Sequence, residues 1–144
     1  MSDPRLDQIR GLIRDVPDFP KPGILFKDIS PLLGHGQGFR HSVDLLAELA
    51  SEFEVDVIAG PEARGFVFGA PLATKMGLGF APIRKMGKLP WKTIEETYDL
   101  EYGTDTLQMH EDAVSKGQRV LLVDDLLATG GTIAACRRLA EKSG

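Results

Sequence analysis

The sequence predicts an α/β protein with a doubly wound, mainly parallel sheet. Three apolar segments have the length of buried strands: Val55–Gly60, Gly79–Arg84 and Arg119–Asp124. Helical patterns follow the first and the last of them, from about Phe66 to Met76 and over Ile133–Leu139. Strands that alternate with helices are typical of parallel sheets with helices on both faces.

The N-terminal part predicts a helix, a proline-rich segment and a second helix. Helical spacing of apolar residues predicts the first helix on Leu6, Ile9, Ile13 and Val16. Prolines should keep the following segment out of a helix, and its apolar residues indicate a packed loop that could also line a pocket. These prolines are Pro17, Pro20, Pro22 and Pro31. The second helix is expected over Val43–Phe53, with its buried face formed by Val43, Leu46, Ala47, Ala50 and Phe53.

The pattern weakens between Lys85 and Lys116. Several cations come first and several carboxylates follow, and only Thr106–His110 alternates like a strand. A solvated loop of mixed charge is the simpler interpretation. The functional one is a mobile lid over about Lys85–Asp105 that brings cations and a carboxylate over a ligand.

Composition excludes several classes of protein. A chain of 144 residues, 42% hydrophobic and 26% charged, predicts one globular domain with a real core. The net charge of −4 argues against a general nucleic-acid binder. Cys136 is the single cysteine and His35, His41 and His110 lack metal-ligand spacing, so neither a disulfide framework nor a protein-only metal site is expected. With neither a signal nor an apolar membrane span in the sequence, we expect a cytoplasmic protein.

The most informative segment is Val120–Thr132. An apolar strand ends in Asp124 and Asp125, and Thr129–Thr132 form a Gly/Thr turn at the start of a helix. Backbone N–H groups at a helix N-terminus suit a phosphate, and carboxylates at a strand's carboxyl end lie where open sheets bind ligands. The pattern suits a sugar phosphate, with acids for ribose hydroxyls or a metal. For the acid pair alone, an ordinary strand-to-helix connection with Thr as N-cap is about as good an explanation.

A second anion site is predicted at Pro61–Gly65, which also joins a strand end to a helix start. Arg64 opposes the helix dipole there, and this placement is reasonable if an anion lies between them. Two anion sites with an acidic pair between them match a molecule that has a phosphate at one end and a pyrophosphate at the other. Neither a P-loop nor a dinucleotide-binding fingerprint occurs in the sequence.

Five segments together carry a family resemblance. They are, in chain order, PDFPKPGILFKDISPLL, EARGF, PIRKMGKLP, YDLEYGTD and VLLVDDLLATGGT. Over nearly the whole chain the sequence resembles the adenine phosphoribosyltransferases, which are type I phosphoribosyltransferases. The resemblance implies a type I sheet with an N-terminal helix-and-loop hood. It also implies transfer from 5-phosphoribosyl-1-pyrophosphate (PRPP) to adenine in purine salvage, giving AMP and pyrophosphate, with Mg²⁺ and as a homodimer.

The resemblance also assigns roles to residues. Asp124 and Asp125 would face the ribose. Mg²⁺ would be carried by PRPP and would have no direct side-chain ligand, although it could contact Asp124 or Asp125 through water. The 5′-phosphate would be held by Ala128, Thr129, Gly130, Gly131 and Thr132. Pyrophosphate would be held by Ala63, Arg64 and Arg84, with Lys88 reaching in from the other subunit. Adenine would meet Leu25, Phe26 and Lys27, and the lid carboxylate near the base would be Glu101. The catalytic residues would be Glu101, Asp124, Asp125 and Arg64.

Three expectations remain open. Another purine base is one alternative, which the ILFKD segment disfavours, and a non-catalytic PRPP-sensing regulator is another, which the presence of Glu101 disfavours. Family members continue with a further core strand, so residues 1–144 should be one phosphoribosyltransferase domain that lacks this strand. Arg119–Asp124 should then lie at a sheet edge.

Overall fold

The computed structural model describes residues 3–100, 102–125 and 131–143. They form two compact units, Met1–Glu48 and Leu49–Gly144. The first unit contains α1 (Pro4–Gly11), β1 (Arg14–Pro17), β2 (Leu25–Asp28), α2 (Ser30–Leu33) and most of α3 (Gly36–Ala50).

The first unit corrects two predictions. The N-terminal helix ends at Gly11, and Val16 belongs to β1, which pairs antiparallel with β2 and places Val16 opposite Phe26. The proline-rich segment is not only a packed loop, since it contains β2 and the short helix α2. Pro31 lies in the first turn of α2, where a missing N–H breaks no helical hydrogen bond.

Helix α3 is longer at its start than predicted and shorter at its end. It begins at Gly36 and ends at Ala50, with Val43 and Ala50 buried as expected. Phe53 lies beyond the helix and is 67% exposed, so its place on the buried face is wrong.

The second unit is an α/β sheet. Its elements are β3 (Val57–Pro61), α4 (Arg64–Met76), β4 (Gly79–Lys85), β5 (Thr93–Asp99), β6 (Thr104–His110), β7 (Val120–Leu122) and α5 (Gly131–Lys142). The strand order is β5-β6-β4-β3-β7, with β3 parallel to β4 and β7, and with β6 antiparallel to β4 and β5. Among the described residues β7 is an edge strand, as the sequence predicted.

Helices α4 and α5 cover opposite faces of this sheet. On one face of the sheet, Ala59 of β3 and Ala81 of β4 belong to a buried cluster with Ala135, Cys136 and Leu139 of α5. On the opposite face the Phe80 ring contacts Phe66 of α4 at 5.6 Å between centroids. A Cβ on Gly69 of α4 would lie 2.5 Å from the Phe80 ring. The doubly wound architecture is therefore confirmed, with Cys136 as a buried apolar side chain.

The antiparallel hairpin corrects the predicted lid. Strand β5 pairs with β6 over its whole length, from Thr93 opposite His110 to Asp99 opposite Thr104, so Lys85–Asp105 is not one continuous loop. Ile94 and Tyr98 pack against the core cluster while Glu95 faces outward. The structure leaves the mobility of this segment a prediction. In the described part of the chain, no helix has the length and apolar character needed to cross a membrane.

Candidate functional site

Three parallel strands, β4, β3 and β7, end on the same side of the sheet. The chain that follows them carries Glu62–Arg64 after β3, Arg84–Lys88 at the end of β4, and Asp124–Asp125 after β7. We call these residues the charged edge. They include the six residues to which the family resemblance gave ribose or pyrophosphate roles, which are Ala63, Arg64, Arg84, Lys88, Asp124 and Asp125.

Two glycines bring the backbone of the charged edge close together. A Cβ on Gly60 would lie 2.5 Å from the carbonyl oxygen of Val123, and one on Gly65 would lie 3.0 Å from the same oxygen. The Val123 N–H donates to the Ala59 carbonyl at 2.9 Å, which extends the pairing of β3 with β7. The start of α4 can therefore approach the end of β7 only because both positions lack a side chain.

The acidic end of the charged edge consists of Asp124 and Asp125 with Arg64 beside them. Asp125 Oδ2 lies 3.1 Å from Arg64 Nε, and its side chain is only 5% exposed. The Asp125 N–H donates to Asp124 Oδ1 at 2.8 Å. Among the described residues one arginine therefore faces two adjacent carboxylates, so the charges there are not balanced.

This imbalance appears in the pKa of Asp124. Burial raises this pKa to about 6, and the neighbouring Asp125 carboxyl group raises it as well, while the Asp125 N–H and the Arg64 charge oppose the shift. A carboxyl group with its pKa near physiological pH changes charge easily when a cation or a hydroxyl approaches. Such groups cluster at functional sites.

The cationic end of the charged edge surrounds Glu62. Its Oε2 lies 2.6 Å from Lys88 Nζ, and its Oε1 lies 3.3 Å from Arg84 Nε and accepts the Lys85 N–H at 2.7 Å. Burial would raise the pKa of Glu62, but these hydrogen bonds and charges outweigh it and lower the pKa. The side chain is 11% exposed, and we therefore treat it as a largely buried, ionised carboxylate.

Glu62 is a residue of the charged edge for which the sequence predicted no role. The available signal was an unbalanced run of cations, Arg84, Lys85, Lys88 and Lys92, with no acid among them. The counter-charge of Arg84 and Lys88 comes from Glu62 in the preceding strand-to-helix loop, which is distant along the chain. Only the parallel pairing of β3 with β4 brings it near.

The N-terminus of α4 lies within the charged edge. Ala63 is its N-cap and Arg64 its first residue, and among the described residues no side chain hydrogen-bonds to this cap. Unbonded N–H groups of a first helical turn are anion ligands. The predicted anion role of Ala63 and Arg64 is therefore geometrically reasonable.

The remaining predicted residues fall in two groups. Gly131 and Thr132 are the first residues of α5, whereas Glu101, Ala128, Thr129 and Gly130 lie outside the described residues. The predicted adenine segment, Leu25–Lys27, is strand β2 of the first unit. There Phe26 makes an edge-to-face contact with Phe19 at 5.1 Å between centroids, and Lys27 pairs with Asp15.

The carboxylates of the charged edge fit a metal ion that a phosphate ligand brings to the site. Within residues 3–100, 102–125 and 131–143, no group of three or more His, Cys, Asp or Glu side chains has the arrangement of a metal site. Mg²⁺ commonly uses one or two carboxylates together with phosphates and water. Asp124 and Asp125 can supply such carboxylates.

Comparison with known proteins identifies the family. The phosphoribosyl transferase domain model matches residues 29–144. The adenine phosphoribosyltransferase of Thermoanaerobacter sp. is 58% identical over 96% of this chain and 80% of its own. The crystal structure of the enzyme from Thermoanaerobacter pseudethanolicus has a TM-score of 0.94 and 56% identity, covering 96% of this chain and 81% of that one.

A more distant structure shows the same fold with ligands. The adenine phosphoribosyltransferase of Saccharomyces cerevisiae, crystallised with an iminoaltritol bisphosphate and adenine, has a TM-score of 0.91 and 38% identity. It is matched over 96% of this chain and 81% of its own. The charged edge thus lies in a type I phosphoribosyltransferase fold, and the chain belongs to the adenine phosphoribosyltransferase family.

Proposed function

We propose that the chain transfers the 5-phosphoribosyl group of PRPP to adenine, forming AMP and pyrophosphate in purine salvage. The observation that carries this proposal is the arrangement of the charged edge, where Arg64 and Arg84 lie on the same side of the sheet as Asp124 and Asp125. Relatives at 58% identity carry the corresponding name, and the yeast relative was crystallised with adenine.

The two ends of the charged edge suit the two charges that develop in this reaction. Breaking the bond from ribose C1 to pyrophosphate leaves a sugar with oxocarbenium character and a strongly negative leaving group. Arg64, Arg84 and the Ala63 backbone stabilise the leaving group, and Lys88 does so in the neighbouring subunit. Asp124 and Asp125 orient the ribose hydroxyls and stabilise the positive sugar.

The other proposed roles rest on the family resemblance. Ala128, Thr129, Gly130, Gly131 and Thr132 bind the 5′-phosphate, and Leu25, Phe26 and Lys27 bind adenine. Glu101 is the carboxylate near the base, carried by a segment that shields the reaction from water. Adenine N9 must lose a proton as it attacks ribose C1, and a nearby carboxylate is a suitable carrier.

Cofactor and assembly complete the proposal. Asp124 or Asp125 would hold Mg²⁺ through water, next to the phosphates of PRPP. When bound, it neutralises part of the charge on the leaving group. We further propose that residues 1–144 belong to one phosphoribosyltransferase domain, that the protein acts in the cytoplasm, and that it works as a homodimer in which Lys88 reaches the neighbouring subunit's pyrophosphate.

The direct test is AMP formation from PRPP and Mg²⁺ with a panel of purine bases. We expect turnover with adenine and little with hypoxanthine, guanine or xanthine. Turnover with one of these other bases would change the substrate assignment. Tight PRPP binding without any base-dependent release of pyrophosphate would instead indicate a PRPP-sensing regulator.

A further inference from the structure

We infer that Glu62 is a positioning residue for pyrophosphate binding, which acts by holding Arg84 in place. This inference rests on the proposed function, because it concerns the pyrophosphate end of that site. It concerns a residue to which neither the sequence nor the family comparison gives a role.

Among the residues that the structure describes, the Arg84 guanidinium faces a carboxylate on its Nε side. Its Nε is buried and makes no hydrogen bond among the described residues, and Glu62 Oε1 lies 3.3 Å from it. The Arg84 side chain is nevertheless 36% exposed, so the exposed part belongs to its other atoms. The guanidinium is a rigid planar fork. With its Nε side against Glu62, its remaining donors stay available to an anion.

Glu62 is itself fixed by the backbone. Its N–H donates to the Ile83 carbonyl at 2.9 Å, and its Oε1 accepts the Lys85 N–H at 2.7 Å. The second oxygen pairs with Lys88 Nζ at 2.6 Å. Exposed ion pairs contribute little to stability because both side chains are mobile. Here the residue is bound to the main chain of β4 twice, through its own N–H and through Oε1, so a backbone contact as well as the cations sets the position of the carboxylate.

Glu62 also joins two parts of the predicted pyrophosphate site. It is next to Ala63 and Arg64 in the loop that begins α4, and it contacts the end of β4 that carries Arg84. Ordering these parts in advance lowers the entropy lost when a ligand binds. A single carboxylate also weakens the attraction of nearby cations for pyrophosphate. The positioning role requires the ordering effect to exceed that loss.

The two effects predict opposite outcomes for Glu62→Gln. The amide keeps the size of the side chain but removes its charge. If Glu62 positions Arg84, magnesium pyrophosphate should bind at least about tenfold more weakly, as expected when a charged contact is lost. If Glu62 only competes for the cations, binding should become tighter. Titration calorimetry with magnesium pyrophosphate measures this directly, and unchanged or tighter binding overturns the inference.

A double-mutant cycle separates positioning from a general structural effect. In an Arg84→Gln background, adding Glu62→Gln should change pyrophosphate affinity by less than about twofold, because the residue through which Glu62 acts is already gone. A full additive loss would show that Glu62 does not act through Arg84, and would overturn the inference. If Glu62→Gln does not fold, Glu62→Asp keeps the charge but is too short to hold Arg84 and Lys88 together. It should also bind more weakly, and wild-type affinity would overturn the role.

Glu48→Gln is the matched control. Glu48 binds Arg5 through two contacts of 2.7 and 2.9 Å within the first unit, and its loss should leave pyrophosphate affinity unchanged. Calorimetry decides the role of Glu62 and the AMP assay decides the function. If wild type forms no AMP but the calorimetric pattern appears, the proposed function fails and the positioning role stands. If wild type is active and Glu62→Gln binds normally, only the positioning role fails.

Discussion

The two ends of the charged edge contain carboxyl groups whose pKa values move in opposite directions. At the cationic end, burial would raise the pKa of Glu62, but Lys88, the Lys85 N–H and Arg84 lower it. At the acidic end, burial and the neighbouring Asp125 raise the pKa of Asp124 to about 6, and Arg64 compensates only in part. The number of nearby donors, rather than burial alone, decides the direction.

This difference explains how one sheet edge can stabilise two opposite charges. The cationic end has spare positive charge for a leaving phosphate group. The acidic end has spare negative charge for a sugar that becomes positive. The following predictions perturb the acidic end, the spacing between the two ends, or a region away from both.

The largest effect should come from neutralising the acidic end. We expect Asp124→Asn and Asp125→Asn each to lower kcat by about a hundredfold or more, the typical size of losing one electrostatic stabiliser of a transition state. A thermal melt should show that both variants are folded, and pyrophosphate affinity should change little. Near-wild-type turnover in both variants would contradict the assignment of the acids.

The next effect concerns the spacing between the ends. A Cβ on Gly60 would lie 2.5 Å from the Val123 carbonyl oxygen, so Gly60→Ala should force the strands apart and destabilise the fold by about 1–3 kcal/mol. Gly79→Ala is the control, since its Cβ would meet nothing closer than 4.0 Å. Chemical denaturation compares the two variants. Equal stability would show that the close approach imposes no constraint.

A smaller effect concerns pH. If ionised Asp124 is needed, kcat/KM should fall as the pH drops through about 6, the pKa of this carboxyl group. Arg64 lowers this pKa, so Arg64→Gln should move the acid limb of the pH profile to higher pH. The measurement needs only the residual activity of the Arg64→Gln variant, because it compares the position of the limb and not the rate. A limb that stays in place in this variant would mean that another group controls it.

The same pKa predicts the pH dependence of stability. Because the folded state binds a proton more tightly than the unfolded state, whose carboxyl pKa is near 3.8, stability should decline as pH rises from about 4 to 6. Asp124→Asn should flatten this part of the curve. Melting temperatures across this range provide the check, and an unchanged slope in the variant would assign the effect to other groups.

The smallest effect should come from the hairpin, which lies away from both ends. Glu96 of β5 pairs with Arg138 at 2.8 Å and with Lys142 at 2.7 Å, both on α5. We expect Glu96→Gln to lower hydrogen-exchange protection in β5 and to reduce Tm slightly. Glu141→Gln removes only the exposed pair with Arg137 and is the control. Equal protection in the two variants would show that these ion pairs do not hold the hairpin.

The sequence predicted the parallel part of the sheet well, because buried parallel strands are continuous apolar runs such as Val57–Pro61. It predicted β5 poorly, because an edge strand with Glu95 and Glu96 looks like a solvated loop until its partner β6 is known. Ile13 and Val16 extended the helical spacing of α1 by chance, whereas long-range pairing with β2 decides that Val16 is in a strand. In the candidate site, strand ends were predictable from local pattern. The contacts of Glu62 were not, because they depend on the pairing of β3 with β4.

The two tight glycines have a consequence for how this protein tolerates change. Gly60 and Gly65 leave no room for a side chain against the Val123 carbonyl, so the distance between the cationic and acidic ends is set by the main chain. In a library of random substitutions, we expect these two positions to accept almost nothing. The charged positions should instead yield folded proteins with altered chemistry. The framework of the site and its reactivity can therefore vary separately, and selection for a new leaving group or acceptor can change the charges without rebuilding the sheet.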